Sequence, residues 1–265
     1  MSQPHRARKR FGQNFLHDAG IIRRIVQVIH PRADQHLVEI GPGQGAITEG
    51  LLECGCQLDV IEIDRDLVPR LELQFRQFNN LRIHSADALQ FDYAQLAESG
   101  SKMRLVGNLP YNISTPLIFH LLKFAALIDD MHFMLQLEVV KRLAASPGSK
   151  AWGKLGVMAQ YHCQVDTLFE VPPGAFNPPP KVTSAIVRFQ PSSRHSPDPD
   201  QEARLRRVVN AAFSQRRKTL RNTLRDLVNV QQLEVLGISP GARAETLELQ
   251  QFIQISNLLD ANQQP

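Results

Sequence analysis

The chain has 265 residues, 43% of them hydrophobic, and a formal charge of +4 with a pI of about 9.1. These figures exclude a disordered polar chain and a small disulfide-stapled one, and fit one large α/β domain with a smaller appendage. Three cysteines, Cys54, Cys56 and Cys163, come with no His or Cys at metal-ligand spacing, so free thiols, a reducing compartment and no metal are expected. No apolar run has the length of a secretory leader or a membrane span, which predicts a cytoplasmic protein with no membrane partner.

The chain begins with a basic arm of Arg6, Arg8, Lys9 and Arg10, leading into a turn with two aromatics, Phe11-Gly12-Gln13-Asn14-Phe15-Leu16-His17-Asp18. Ile21, Ile22, Ile25, Val26 and Ile29 then recur at helical spacing and predict an amphipathic helix over 19–29. A polar-aromatic turn between a basic arm and a core helix suits the lip of a binding site. Leu37-Val38-Glu39-Ile40 reads as a short buried strand, followed by Gly41-Pro42-Gly43-Gln44-Gly45 and renewed helical spacing at Ile47, Leu51 and Leu52. Strand, glycine loop and helix let a ligand approach the backbone at a helix N-terminus. A second strand over 58–64 brings Glu62 to about twenty residues past the glycine loop, where a carboxylate can accept from ribose hydroxyls. With Ala46 after the third glycine, the loop lacks the fuller dinucleotide pattern.

A helix is predicted over 67–78, with Pro69 in its first turn. A third strand, Leu81-Arg82-Ile83-His84, delivers Asp87 to the same sheet edge, either as an acceptor for an adenine amino group or as a cap. The fourth strand, over 101–106, runs into Asn108-Leu109-Pro110-Tyr111, which the rest of the chain is organised around. Pro110 fixes its own φ, has no N–H to donate and holds Leu109 extended. The Asn108 side-chain carbonyl and the Leu109 carbonyl can then share one small space beside the Tyr111 ring. Two acceptors and a stacking face suit a flat heterocycle with an exocyclic amine, such as adenine.

Further on, a helix over 116–122, a strand over 131–137 and a helix over 138–145 precede Lys150, Trp152 and Lys154, which read as a small basic-aromatic patch. Strands over 165–171 and 184–190 flank a proline-stiffened loop in which an exposed Phe176 reads either as a ring held over the pocket or as part of a proline-rich surface turn. Residues 191–199, rich in Pro and Ser, read as a linker between a domain at 1–190 and a helical domain at 200–265. From Arg204 to Arg225 there are eight Lys or Arg and no acid, including Arg216, Arg217, Lys218 and Arg221. Such a helix pair is expected to contact phosphate.

With these residues in this order the chain resembles the ribosomal RNA adenine dimethyltransferase family, from about Arg10 to about Ser256. The resemblance is carried by residues 11–16, 39–45, 108–114, 176–182 and 213–220. It implies an α/β fold with a doubly wound, mostly parallel seven-stranded sheet of the Rossmann-like class I methyltransferase type, and a small all-helical C-terminal domain. It implies S-adenosylmethionine as cofactor, held by Asn14, Leu16, Gly41, Gly43, Gly45, Glu62, Asp87 and Asn108. It implies catalysis by Asn108, Leu109, Pro110, Tyr111 and Phe176, the two rings gripping the extruded base. RNA contacts are assigned to Arg8, Lys9, Arg10, Arg216, Arg217, Lys218 and Arg221. The implied substrate is two adjacent adenines in the terminal hairpin of 16S rRNA in a late small-subunit precursor, with the enzyme a monomer. Three rivals stand beside it: a large-subunit methyltransferase of the resistance type, a nucleotide-dependent oxidoreductase read from the glycine loop and Glu62, and a non-catalytic assembly factor on the same fold.

Overall fold

The computed structural model of the chain describes residues 13–97, 101–192 and 198–261. They divide into two compact units, one built from the residues up to Val140 together with Gln164–Pro191, the other from Lys141–Cys163 and the chain after Pro191.

In the first unit the elements run β1 (Phe15–Leu16), α1 (Ala19–Ile29), β2 (His36–Ile40), α2 (Thr48–Glu53), β3 (Gln57–Glu62), α3 (Val68–Gln74), β4 (Leu81–Ser85), β5 (Met103–Asn108), α4 (Ser114–Leu122) and β6 (Ile128–Gln136). Helix α5 (Leu137–Leu143) follows, and the unit resumes with β7 (Cys163–Val171), β8 (Phe176–Asn177) and β9 (Ser184–Pro191). One sheet of seven strands has the order β4-β3-β2-β5-β6-β9-β7. Strands β2 to β6 pair in parallel and β9 runs antiparallel to β6. Every residue of β2 is buried, as expected of a parallel strand covered on both faces. The chain reverses direction across the sheet between β2 and β5, with β3 on one side of β2 and β5 on the other. A crevice at the carboxyl ends of strands at such a switch point is where open α/β sheets take ligands.

Gly107 sets how closely the two central strands approach. A Cβ there would lie 2.4 Å from the Ile40 carbonyl oxygen, so any side chain would drive β5 away from β2. Helix α1 starts where the Asp18 carboxylate accepts from the Ile21 N–H at 2.9 Å and ends at His30 in a left-handed conformation, φ 49°. The Arg104 guanidinium, also ion-paired with Asp130, fastens that end by donating to the Ile29 and His30 carbonyls. At the start of the unit β1 pairs antiparallel with β8, Leu16 opposite Phe176, and the His17 N–H bonds the Ala175 carbonyl at 2.9 Å.

The second unit contains α6 (Lys154–His162), α7 (Pro199–Ala212), α8 (Leu220–Thr223), α9 (Val230–Val235) and α10 (Leu249–Ala261). Helix α7 packs mainly against α10, burying Leu205, Val208, Val209, Phe252 and Ile255, and the Phe213 and Phe252 rings stack with centroids 5.6 Å apart. Three expectations change here. The helical unit does not begin only after the linker: residues 141–163 belong to it as well, so the chain leaves the first unit, returns for β7 to β9 and leaves again. The basic run Arg216-Arg217-Lys218 is not helical but sits on a loop between α7 and α8. Trp152 is also not part of an exposed patch. It is 3% exposed and donates its indole N–H to the Leu247 carbonyl at 2.9 Å. No helix among the described residues is long and apolar enough to cross a membrane.

Candidate active site

A cavity of about 270 Å³ opens at the carboxyl ends of β2, β3, β4 and β5. Its floor is the glycine loop. Gly41 and Gly43 adopt left-handed φ of 68° and 59°, the region glycine reaches without strain. The nearest atom to a Cβ on Gly41 would be 3.8 Å away, whereas one on Gly43 would press on the Phe15 ring at 3.1 Å. Gly41 and Gly43 line the cavity; Gly45, expected to do the same, does not. A Cβ on Gly45 would lie 2.6 Å from the Phe75 ring, so this glycine exists to let α3 pack and is corrected to a structural role.

Three carboxylates line the cavity: Glu39, Glu62 and Asp87. Glu62, 4% exposed, accepts from the Asp64 N–H at 2.8 Å and the Gly43 N–H at 3.3 Å. Burial pushes its carboxyl above the usual range in spite of these donors. Glu39, 1% exposed, accepts from the Thr48 hydroxyl at 2.6 Å. Burial, opposed by that hydrogen bond and reinforced by Glu62, pushes it up to about 7. Asp87 caps the following turn through Oδ1, which accepts from the Leu89 N–H at 2.9 Å, and it also lines the cavity. Ile63, 46% exposed, offers an apolar face beside Glu62.

At the other end, β5 stops at Asn108 and the Leu109 N–H bonds the Met134 carbonyl of β6 at 3.3 Å. The Asn108 Nδ2 donates to the Asn14 carbonyl at 3.2 Å. With the nitrogen end of the amide occupied, the oxygen end is the one left to the cavity. Leu109, Pro110 and Tyr111 line the same end, with Asn14 and Leu16 from the N-terminal segment. The Tyr111 hydroxyl is held by the Ser184 Oγ at 2.7 Å, which fixes the ring.

The profile of the family described as ribosomal RNA adenine dimethylase matches residues 4–261. The chain belongs to the ribosomal RNA adenine dimethylase family. Among its relatives, ribosomal RNA small subunit methyltransferase A of Pseudomonas aeruginosa is 60% identical over 256 residues, covering 96% of this chain and 95% of that one. The protein of the same description from Saccharophagus degradans is 58% identical over 257 residues, covering 97% and 96%. Of solved structures, a dimethyladenosine transferase from Plasmodium falciparum superposes with a TM-score of 0.79 at 25% identity, covering 94% of this chain and 97% of that one. The 23S rRNA methyltransferase ErmE does so with a TM-score of 0.74 at 25% identity, covering 93% and 100%.

This dimethylase is an S-adenosylmethionine-dependent enzyme, and the cavity fits that cofactor. It has open left-handed glycines for close backbone approach, a buried acceptor at Glu62 and an exposed apolar side chain next to it. Phe176, expected to stand exposed over the pocket, is instead 2% exposed, lies in the core cluster with Leu16 and is not among the residues that line the cavity. It sits opposite Leu16 in the pairing of β8 with β1. Arg8, Lys9 and Arg10 lie outside the described residues. Arg216, Arg217, Lys218 and Arg221 are all exposed on the helical unit. Sequence reasoning missed Glu39, Ile63 and the Asn14–Asn108 bond. Glu39 was within reach, as a charged residue in an otherwise apolar strand; the bond joins residues 94 apart and left no local signal. Among the described residues no group of His, Cys, Asp or Glu could hold a metal ion.

Proposed function

We propose that this dimethylase converts two adjacent adenosines in the 3′-terminal hairpin loop of 16S rRNA to their N6,N6-dimethyl forms, acting as a single chain in the cytoplasm on a late small-subunit precursor. The small-subunit assignment follows the relatives at 58–60% identity, all described as small-subunit enzymes. The solved 23S enzyme, at 25%, is more distant.

The observation that supports the mechanism is the Asn108 amide, which lines the cavity and donates through its nitrogen to the Asn14 carbonyl, so that its oxygen serves as the acceptor for the substrate. The glycine backbone at 41 and 43, Glu62 through the ribose hydroxyls, Asp87 through the adenine amine and the apolar side chain of Ile63 would hold the cofactor. Bound there, S-adenosylmethionine supplies an electrophilic methyl group on a sulfonium. The target adenine nitrogen is a poor nucleophile because its lone pair is delocalised into the ring. In the first transfer Asn108 Oδ1 and the Leu109 carbonyl accept its two N–H groups, and in the second the one that remains. This favours a pyramidal nitrogen with its lone pair toward the cofactor end. Each transfer leaves a neutral thioether and a proton that the alkylated nitrogen releases to solvent. The Tyr111 ring stacks on the base, a contact worth about 1–3 kcal/mol. Burial raises the Tyr111 phenol above its ordinary value, so it stays neutral and positions rather than accepts a proton. Extrusion of the base costs a few kcal/mol and least in a loop. Alignment of nitrogen, methyl and sulfur can contribute about 7–11 kcal/mol.

Asn108→Ala tests this. Labelled-methyl incorporation into unmethylated small subunits is expected to fall about 100-fold or more, the scale of removing one preorganised polar group from a reacting centre, while S-adenosylmethionine affinity changes much less. Retained turnover removes the amide from the mechanism, and label appearing in large rather than small subunits overturns the substrate.

A further inference from the structure

Three loops of the helical unit are fastened to one another around Arg216. The first, over 144–153, carries Lys150 and is anchored from beneath: the buried Trp152 bonds the Leu247 carbonyl, and the Gly148 N–H bonds the Glu245 carbonyl at 2.7 Å. Gly156 leaves room beneath this loop, since a Cβ there would lie 2.7 Å from the Arg142 carbonyl and 3.2 Å from the Trp152 ring. The second loop, over 213–219, sends Arg216 across. Its Nη2 donates to the Lys150 carbonyl at 2.5 Å, and its Nε donates to Glu245 Oε2 of the third loop at 3.3 Å.

Arg216 therefore differs from its neighbours. Its planar fork of donors is matched to a carboxylate and a carbonyl of its own chain. Lys150, Arg217, Lys218 and Arg221 are exposed and make no ion pair among the described residues. A lysine on a loop bolted at both ends presents its charge at a defined place, so less ordering entropy is lost when it meets a phosphate.

We infer that Lys150 is a phosphate contact for the ribosomal RNA, and that Arg216 is the residue that positions it, not primarily a contact itself. This rests on the proposed RNA-binding role of the helical unit. It adds a segment from the middle of the chain to a surface otherwise drawn from residues 216–221.

The test is the salt dependence of binding to unmethylated small subunits, measured over a potassium chloride series at fixed magnesium, with S-adenosylmethionine affinity as a check that each variant is folded. Lys150→Gln is expected to lower the slope of log affinity against log salt by about 1. Arg216→Gln should weaken binding, and the Arg216→Gln, Lys150→Gln double variant should have the slope of Lys150→Gln alone. Glu245→Gln should weaken binding too, because it loosens the strut. Slope losses that add in the double variant, or tighter binding by Glu245→Gln, would make Arg216 a direct contact and overturn the positioning role. An unchanged slope in Lys150→Gln alongside a lowered slope in Arg217→Gln overturns the inference and leaves the RNA-contact reading standing. Unchanged slopes in both Arg217→Gln and Lys218→Gln overturn that reading itself.

Discussion

Three buried acids lie along β2 and β3, Asp59 toward the amino end of β3 and Glu39 and Glu62 toward the carboxyl ends, and the two ends are built on opposite principles. Toward the amino end Asp59, wholly buried, bonds His36 at 2.6 Å, His84 at 2.5 Å and Arg82 at 2.8 Å. Burial alone would raise its carboxyl, but these partners override it and hold it down at about 2. At the carboxyl end the donors to Glu39 and Glu62 among the described residues are neutral, a hydroxyl and backbone N–H groups. Burial prevails there and raises both. One end is closed by side chains of its own fold, with Asp59 saturated by His36, His84 and Arg82. The other has unsaturated acceptors facing a cavity, as a site must if a ligand's hydroxyl and amine donors are to complete it.

The sharpest way to break this contrast is Asp59→Asn. Leaving the two histidines and Arg82 without their anion should cost about 3–5 kcal/mol of stability, read as a fall in the denaturant midpoint, with little change in cofactor affinity for the protein that remains folded. An equal loss of cofactor affinity would mean that the two ends are not separate devices. Next comes the pH dependence set by Glu39. Its carboxyl titrates at about 7 in the folded chain and 4.5 in the unfolded one, so the folded chain keeps a proton that the unfolded chain has released. Stability present below pH 4.5 should therefore decline as pH rises to about 7, by about 3 kcal/mol. Glu39→Gln should abolish that decline, raising the thermal midpoint at pH 8 and leaving it nearly unchanged at pH 4.5. The smallest effect is at Glu62→Gln. Loss of a charged acceptor for the ribose should weaken S-adenosylmethionine binding by about 1.5–3 kcal/mol, measured calorimetrically, with far less destabilisation than Asp59→Asn. A variant that binds as tightly as the parent would remove Glu62 from the cofactor site.

What could be read without the fold was whatever local spacing encodes. The glycine loop at 41–43, Glu62 twenty residues on and Asn108 to Tyr111 after a strand all line the cavity because strand ends and turns are local events. The errors share a cause. Phe176 and Trp152 look like exposed rings in proline- or glycine-rich loops, yet both are buried by partners far away in the chain, at Leu16 and Leu247. Gly45 resembles Gly43 in sequence, and only the position of Phe75 shows that one glycine admits a helix while the other faces a ligand. The membership of residues 141–163 in the helical unit is likewise a property of topology, which no window of the sequence contains.

The pairing of β1 with β8 has a consequence for how the enzyme is made. Asn14 and Leu16 roof the cavity and Asn14 holds the Asn108 amide, but their seat is residues 175–177, far later in the chain. A nascent polypeptide that has emerged through β5 already possesses the glycine loop and the Asn108–Tyr111 turn, yet its opening segment has nowhere to dock. The roof of the cavity can therefore form only after residues 175–177 have been synthesised.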